Sequence, residues 1–162
     1  MPDGWVQTLL PEDRALSEAF ATDKRIAFLS FIGTAKVGWH LRSILAPGTR
    51  CALEHGGVAP VIVDRSADLD AIIEPIAKGG YYHAGQVCVS VQRIYVHAAL
   101  KDTFIERFAA RVEKLRVGDP VRADTEVGPL ITPGEAKRVE GWVDEAVAAG
   151  ARQIGGGHLS ET

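Results

Sequence analysis

The chain has 162 residues, 46% hydrophobic and 24% charged, with a formal net charge of −3. This is long enough for a domain with its own core and ordinary for a globular protein, and it lacks the basic excess that marks a nucleic-acid partner. Two cysteines, Cys51 and Cys88, are too few for a disulfide framework and lack the CxxC spacing of zinc or thioredoxin-like sites. No signal peptide and no apolar run of about 18 residues is present, so the expectation is a cytoplasmic chain that contacts no membrane.

Helix and strand signals alternate. PEDRALSEAFATD (11–23) reads as a helix and RIAFLSFIG (25–33) as a strand ending at Gly33. TAKVGWHLRSIL (34–45) reads as a helix with Val37, Leu41, Ile44 and Leu45 on one face, stopped by APG. TRCALEHGG (49–57) is a short strand closing in a Gly-Gly turn, and APVIVD (59–64) is a second one. DLDAIIEPIAKGG (68–80) begins as a helix that Pro75 should kink or restart, because proline lacks the backbone donor. QRIYVH (92–97) is a strand, and KDTFIERFAARVEKLRV (101–117) is amphipathic, with Phe104, Phe108, Val112 and Leu115 at helical spacing. TPGEAKRVEGWVDEAVAAG (132–150) carries Thr132 as N-cap, Pro133 at the first helical position, Glu135 for a capping box and Gly150 as its stop. ARQIGGG begins another strand, with GGG (155–157) as the turn after it. Strands joined through helices imply an α/β fold with a parallel sheet.

Two places can carry chemistry. In SFIGTAKVG (30–38) a strand ends at Gly33-Thr34 and runs straight into a helix. Unpaired N–H groups and the dipole end make that turn an anion site, although such turns also serve as plain connections. In CALEHGG and AGQVCVS, Glu54 and Cys88 both fall at glycine-rich junctions where backbone can approach a ligand. A thiolate and a carboxylate can divide acyl transfer between them: the sulfur attacks a carbonyl, and the carboxylate later takes a proton from the water that cleaves the thioester. The residue types equally allow a buried structural cysteine and a glutamate that only caps a turn. Cys51 reads as a buried strand residue, Trp39 and Trp142 as helix packing, and His40, His97 and His158 lack ligand spacing, so no metal site is expected.

The ordered segments FIGTAKVG, LEHGG and GQVCVS, with PVIVDRSADLDAI and VGDPVRADTEVGPLI between and after them, resemble the aldehyde dehydrogenase superfamily. Its corresponding signatures run Phe-Thr-Gly-Ser-x-x-Val-Gly, Leu-Glu-Leu-Gly-Gly and Gly-Gln-x-Cys. The resemblance implies an α/β parallel-sheet fragment: residues 1–54 as the C-terminal part of a dinucleotide-binding domain, and residues 55–162 as the N-terminal part of a catalytic domain. It implies that Cys88 forms a thiohemiacetal with a small-molecule aldehyde, that hydride passes to the nicotinamide of NAD or NADP, and that the resulting thioester on Cys88 is hydrolysed with Glu54 as base. Gly33 and Thr34 would lie by the cofactor pyrophosphate, and the backbone around His55 and Gly56 by the nicotinamide. A thiol with a pKa of about 8.5 must be deprotonated to attack well near neutral pH.

The sequence departs from the family pattern at Thr34 (usually serine), His55 (usually leucine), His83 (often asparagine) and Pro75. None of these removes a reacting atom. The family also places an upstream asparagine on the developing oxyanion, whereas this chain contains no asparagine; loss of one such donor costs about 10²–10³ in turnover. The resemblance covers roughly the middle third of a family chain, so an alternative stands beside the enzyme: a catalytically inactive remnant acting as a folding or partner-binding module. Partners expected for the chain are therefore a second copy or the missing remainder of the enzyme. A thiol acyltransferase without cofactor is a third reading, disfavoured by the retained Gly33 turn; a CoA-acylating enzyme is disfavoured by the retained Glu54.

Overall fold

The computed structural model describes residues 1–157, which divide into two compact units, Met1–Gly56 and Gly57 onward. Among the described residues no helix is long and apolar enough to cross a membrane.

In the first unit, helix α1 (Arg14–Thr22) begins at Asp13, whose side chain accepts the Ala15 N–H at 2.9 Å. Strand β1 (Phe28–Gly33) starts later than the apolar run suggests. Asp23 explains the delay, since its carboxylate takes both the backbone N–H and the guanidinium of Arg25 and its carbonyl takes the Ile26 N–H, holding 23–26 in a turn. Helix α2 (Ala35–Ile44) then returns the chain, and strand β2 (Arg50–His55) pairs parallel with β1, from Phe28 opposite Arg50 to Gly33 opposite His55. Parallel neighbours need such a crossover. Thr49 Oγ1 donates to Ile26 O at 2.8 Å and sets the register where β2 begins. Leu41 and Ala21 are the buried apolar residues here, and His40 pairs with Glu18 at 3.0 Å to tie α2 to α1. Cys51 is half-buried rather than buried, because among the described residues its strand has a pairing partner on one edge only.

The second unit repeats the strand–helix–strand plan. Strand β3 (Val61–Val63) and strand β4 (Ile94–Val96) pair parallel, joined through helix α3 (Leu69–Tyr81). Its core is Val63, Leu69, Ile76 and Phe104, with Ile72, Ile73, Val91, Ile94, Val96 and Phe108 packed around them. Pro75 does not restart α3: the helix is continuous across it. Burial of Leu69, Ile76 and Ala77 on the same helix offsets the one hydrogen bond that proline removes.

Helix α4 (Lys101–Val112) stops short of the expected 117. The segment after it is claimed by a tertiary partner: Glu126 N–H and Val127 N–H donate to Arg116 O, Gly118 N–H donates to Val127 O, and Val117 bridges Val127 in parallel. Helix α5 (Pro133–Ala148) starts as the caps require, with Thr132 Oγ1 accepting the Glu135 N–H at 3.2 Å. The reciprocal half of the capping box is absent, since the Glu135 carboxylate turns to Arg138. At the other end Gly150 (φ +98°) donates to Val147 O and Ala151 to Ala146 O, each at 2.9 Å, which is a Schellman closure. Residues 151–157 form no strand, contrary to the sequence reading, because nothing among the described residues pairs with them. His158 lies outside the described residues.

Candidate functional site

The first unit gathers Gly33, Thr34, Glu54, His55 and Gly56 at the carboxyl ends of its two parallel strands, the edge where open α/β sheets bind ligands. Register places Ile32 opposite Glu54 and Gly33 opposite His55. Thr34 caps α2, its Oγ1 accepting the Val37 N–H at 3.4 Å. The N–H groups at the very start of the helix have no carbonyl four residues behind them and face outward as donors. Gly33 is needed sterically, since a Cβ there would stand 2.6 Å from the Phe31 ring. Gly38 is needed more: a Cβ would fall 2.3 Å from His55 Nε2. The His55 ring is wedged between Gly38 and Trp39, edge-on to the indole at 5.5 Å, and its Nε2 is buried without a hydrogen-bond partner among the described residues. His55 is thus anchored by its ring. Glu54, one residue earlier, is exposed, and Gly56 has open space around it.

Cys88 belongs to the second unit and is exposed. It follows a short turn, Tyr82–Gly85, in which His83 (φ 50°), Ala84 (φ 54°) and Gly85 (φ 73°) are consecutively left-handed. For the two that bear a Cβ this conformation costs roughly 1–2 kcal/mol each. The turn persists because it is tied down on both sides. Gln86 N–H donates to His83 O at 3.1 Å, and Gln86 Nε2 donates to His83 O at 3.0 Å and to Pro129 O at 3.3 Å. Gln86 Oε1 accepts the Ile131 N–H at 2.9 Å. Beyond the cysteine, Ser90 is 1% exposed, and Val91 N–H donates to Gly79 O at 3.0 Å. Gly79 and Gly80 permit that approach, a Cβ on them standing 3.1 Å from Val91 Cγ2 and 3.3 Å from Val91 O. Gly57, the first residue of this unit, passes the cysteine so closely that a Cβ there would stand 3.3 Å from Cys88 O. Cys88 therefore sits on an exposed loop with a fixed base.

Away from the loop, Arg111 is the main electrostatic node of the second unit. It pairs with Glu74 of α3 and, at 2.8 Å, with Glu126, whose other oxygen accepts the Arg116 N–H at 3.2 Å. Hydrogen bonding to Arg111 holds both carboxyl groups below their ordinary range and raises the guanidinium further. Among the described residues no cluster of His, Cys, Asp and Glu is arranged to hold a metal. A groove of about 840 Å³ runs beside Tyr82, His83, Gln86, Val87, Pro129 and Ile131. Cys88 is not part of its lining.

Sequence reasoning marked Gln86 only as a motif letter, noted His83 only as a departure from the family pattern, and did not single out Ala84 or Ser90. The His83-Ala84 pair lacks the Gly, Asn or Asp from which left-handed turns are normally read; Gln86, three residues after His83, bonds His83 O and links the turn to Pro129 and Ile131, more than 40 positions away.

The aldehyde dehydrogenase family matches residues 1–162. A succinate-semialdehyde dehydrogenase [NADP(+)] of Mycobacterium bovis is 41% identical over 151 residues, covering 93% of this chain and 33% of that protein. Aldehyde dehydrogenase 21 of Physcomitrella patens, solved with the reaction product succinate, superimposes with a TM-score of 0.86 at 41% identity, over 93% of this chain and 31% of that one. Betaine aldehyde dehydrogenase of Staphylococcus aureus, solved with NAD+, superimposes with a TM-score of 0.81 at 36% identity, over 85% and 27% of the two chains. The chain spans about one third of the length of the curated relatives it matches. The match along all 162 residues, carried by the same strand–helix–strand scaffold, means that this chain belongs to the aldehyde dehydrogenase family.

Proposed function

We propose that the chain supplies the nucleophile and the hydrolytic base for oxidation of a small aldehyde to its carboxylic acid with NAD or NADP. The observation that carries this reading is the exposed Cys88 on a strained, tied-down turn, within a chain that matches the family from end to end. Cys88 Sγ, as thiolate, adds to the aldehyde carbon and forms a thiohemiacetal. A bound nicotinamide supplies the hydride acceptor. Glu54 then draws a proton from the water that attacks the Cys88 thioester, a role its exposed position at the end of β2 suits.

The chain's fit to the cofactor rests on the start of α2. Outward N–H groups beyond Gly33 and the Thr34 hydroxyl offer donors to a pyrophosphate, and the backbone at His55 and Gly56, on the same sheet edge, would lie by the nicotinamide. In this reading residues 1–54 are the end of the dinucleotide-binding domain and residues 55–162 the start of the catalytic one. Specific observations also favour the second reading, an inactive module that docks on the rest of an aldehyde dehydrogenase or on another copy. The chain has no asparagine for the oxyanion, and the strand residues Ile32 and Ile62 are 78% and 80% exposed.

The test is thiol chemistry on the full chain. Iodoacetamide should modify Cys88 ahead of Cys51, with equal rates counting against a special thiol. Once a thioester has been formed on Cys88, Glu54→Gln should slow its hydrolysis by roughly 10²–10⁴. Unchanged hydrolysis would remove Glu54 from the role of base.

A further inference from the structure

We propose that Gln86 is the positioning residue for Cys88. Its side-chain amide joins the turn before the cysteine to a distant segment and, together with the local bonds Gln86 N–H to His83 O at 3.1 Å and Ser90 N–H to Val87 O at 3.0 Å, sets where the sulfur points. This rests on the reading of Cys88 as the nucleophile. A glutamine amide has two donor hydrogens and two acceptor lone pairs, and Gln86 uses three of these four. Both hydrogens go to carbonyls, His83 O at 3.0 Å and Pro129 O at 3.3 Å, and the oxygen takes the Ile131 N–H at 2.9 Å. One end of this clasp thus holds the left-handed turn, and the other holds a segment 43 to 45 residues later in the chain.

The turn's own backbone closes with one bond, Gln86 N–H to His83 O at 3.1 Å, and the side-chain clasp adds the rest. His83 and Ala84 carry side chains in a conformation that suits glycine, and either relaxes toward ordinary φ once released. Cys88 lies two residues beyond Gln86, with Ser90 buried shortly after it, so the loop is pinned at both ends and Cys88 and Val89 are exposed between them. Removing the clasp leaves the first pin with the Gln86 N–H to His83 O bond alone. The thiol stays accessible but loses its direction.

Two reagents separate direction from access. Acylation by p-nitrophenyl acetate requires the thiolate to meet the ester carbonyl while nearby donors receive the oxyanion; the S–C bond forms and p-nitrophenolate leaves with the electron pair of the broken C–O bond. Iodoacetamide needs only an open approach. In the full chain, Gln86→Met keeps the length without the hydrogen bonds, while Gln86→Glu keeps the acceptor but sets a carboxylate against two carbonyl oxygens.

Both variants should lower the p-nitrophenolate burst about 10- to 100-fold at every pH across the thiol's titration. The midpoint of the profile should stay where it is, and alkylation of Cys88 and Cys51 should change little. Wild-type burst kinetics in Gln86→Met would overturn the proposal, as would a parallel fall with both reagents at both cysteines, which marks unfolding. If neither variant folds, hydrogen exchange on the wild-type chain decides: slow exchange at Ile131 N–H supports the clasp, and free exchange there overturns it. Absence of any burst from the wild type, with Ile131 protected, would sink the nucleophile assignment while leaving the clasp in place.

Discussion

Gly38 offers a direct test of how the first unit is packed. In a helix, Gly→Ala ordinarily gains up to about 1 kcal/mol from reduced backbone freedom in the unfolded chain. At this position the added Cβ would lie 2.3 Å from His55 Nε2, 3.0 Å from His55 Cδ2 and 3.2 Å from Phe31 Cδ1. Non-bonded carbon contacts sit near 3.5–4.0 Å, so roughly 1 Å of movement is needed. The His55 ring has little room to give it, being held edge-on against Trp39 at 5.5 Å. Overpacking of this kind costs about 1–3 kcal/mol, so Gly38→Ala should destabilise the unit by about 1–2 kcal/mol despite the better helix former. Removing the ring should relieve most of this cost: in a His55→Ala background only the 3.2 Å approach to Phe31 Cδ1 remains against the helix-propensity gain, and the same substitution should be within about 1 kcal/mol of neutral. The coupling between the two sites is then up to about 3 kcal/mol. Urea unfolding read by Trp39 fluorescence, with Trp5 and Trp142 replaced by phenylalanine, reports on this unit alone. A Gly38→Ala variant more stable than its parent with His55 intact would refute the packing account.

Two further outcomes concern the second unit. Ser90 Oγ is buried with no hydrogen-bond partner among the described residues, so Ser90→Ala should raise stability by about 1 kcal/mol and the melting temperature by several degrees; a fall would reveal a partner for the hydroxyl. Glu74 and Glu126 have pKa values lowered from the ordinary 4.5, chiefly by hydrogen bonds from Arg111. A depressed carboxylate stabilises the fold in full above its unfolded value and loses that contribution as pH drops through the lower folded one. Melting temperature should therefore decline as the solution is acidified below 4.5, and Arg111→Met should lower it at neutral pH while flattening this acid limb. An unaltered acid limb in Arg111→Met would show that the pairing contributes nothing.

Much of the architecture was readable where the signal is local. The apolar run ending at Gly33, the helix after it and the second apolar run beginning near Thr49 announce a crossover unit, and the structure pairs those strands in parallel. Thr132, Pro133 and Gly150 mark the ends of α5 because caps depend on residues within one turn of each other. Reading failed where a distant segment competes with local preference. The apolar spacing of α4 continues to Leu115, yet the helix ends because 126–127 captures Arg116 and Val117. Pro75 should kink or restart α3, yet core burial carries the helix across it without a restart. ARQIGGG has strand composition but no neighbour to bond among the described residues.

The same division holds at the site. Composition and order of residues by themselves determined the chain's kinship: FIGTAKVG, LEHGG and GQVCVS name a cysteine, a glutamate and a glycine turn, because the chemistry of each group is a property of its own atoms. Tertiary structure alone decided how those groups are held. It wedged the His55 ring beside Gly38, forced His83 and Ala84 into left-handed backbone, and closed the Gln86 amide on Pro129 and Ile131. These features rest on contacts between residues far apart in the chain, whose energies exist only once the backbone has brought them within hydrogen-bonding or van der Waals reach.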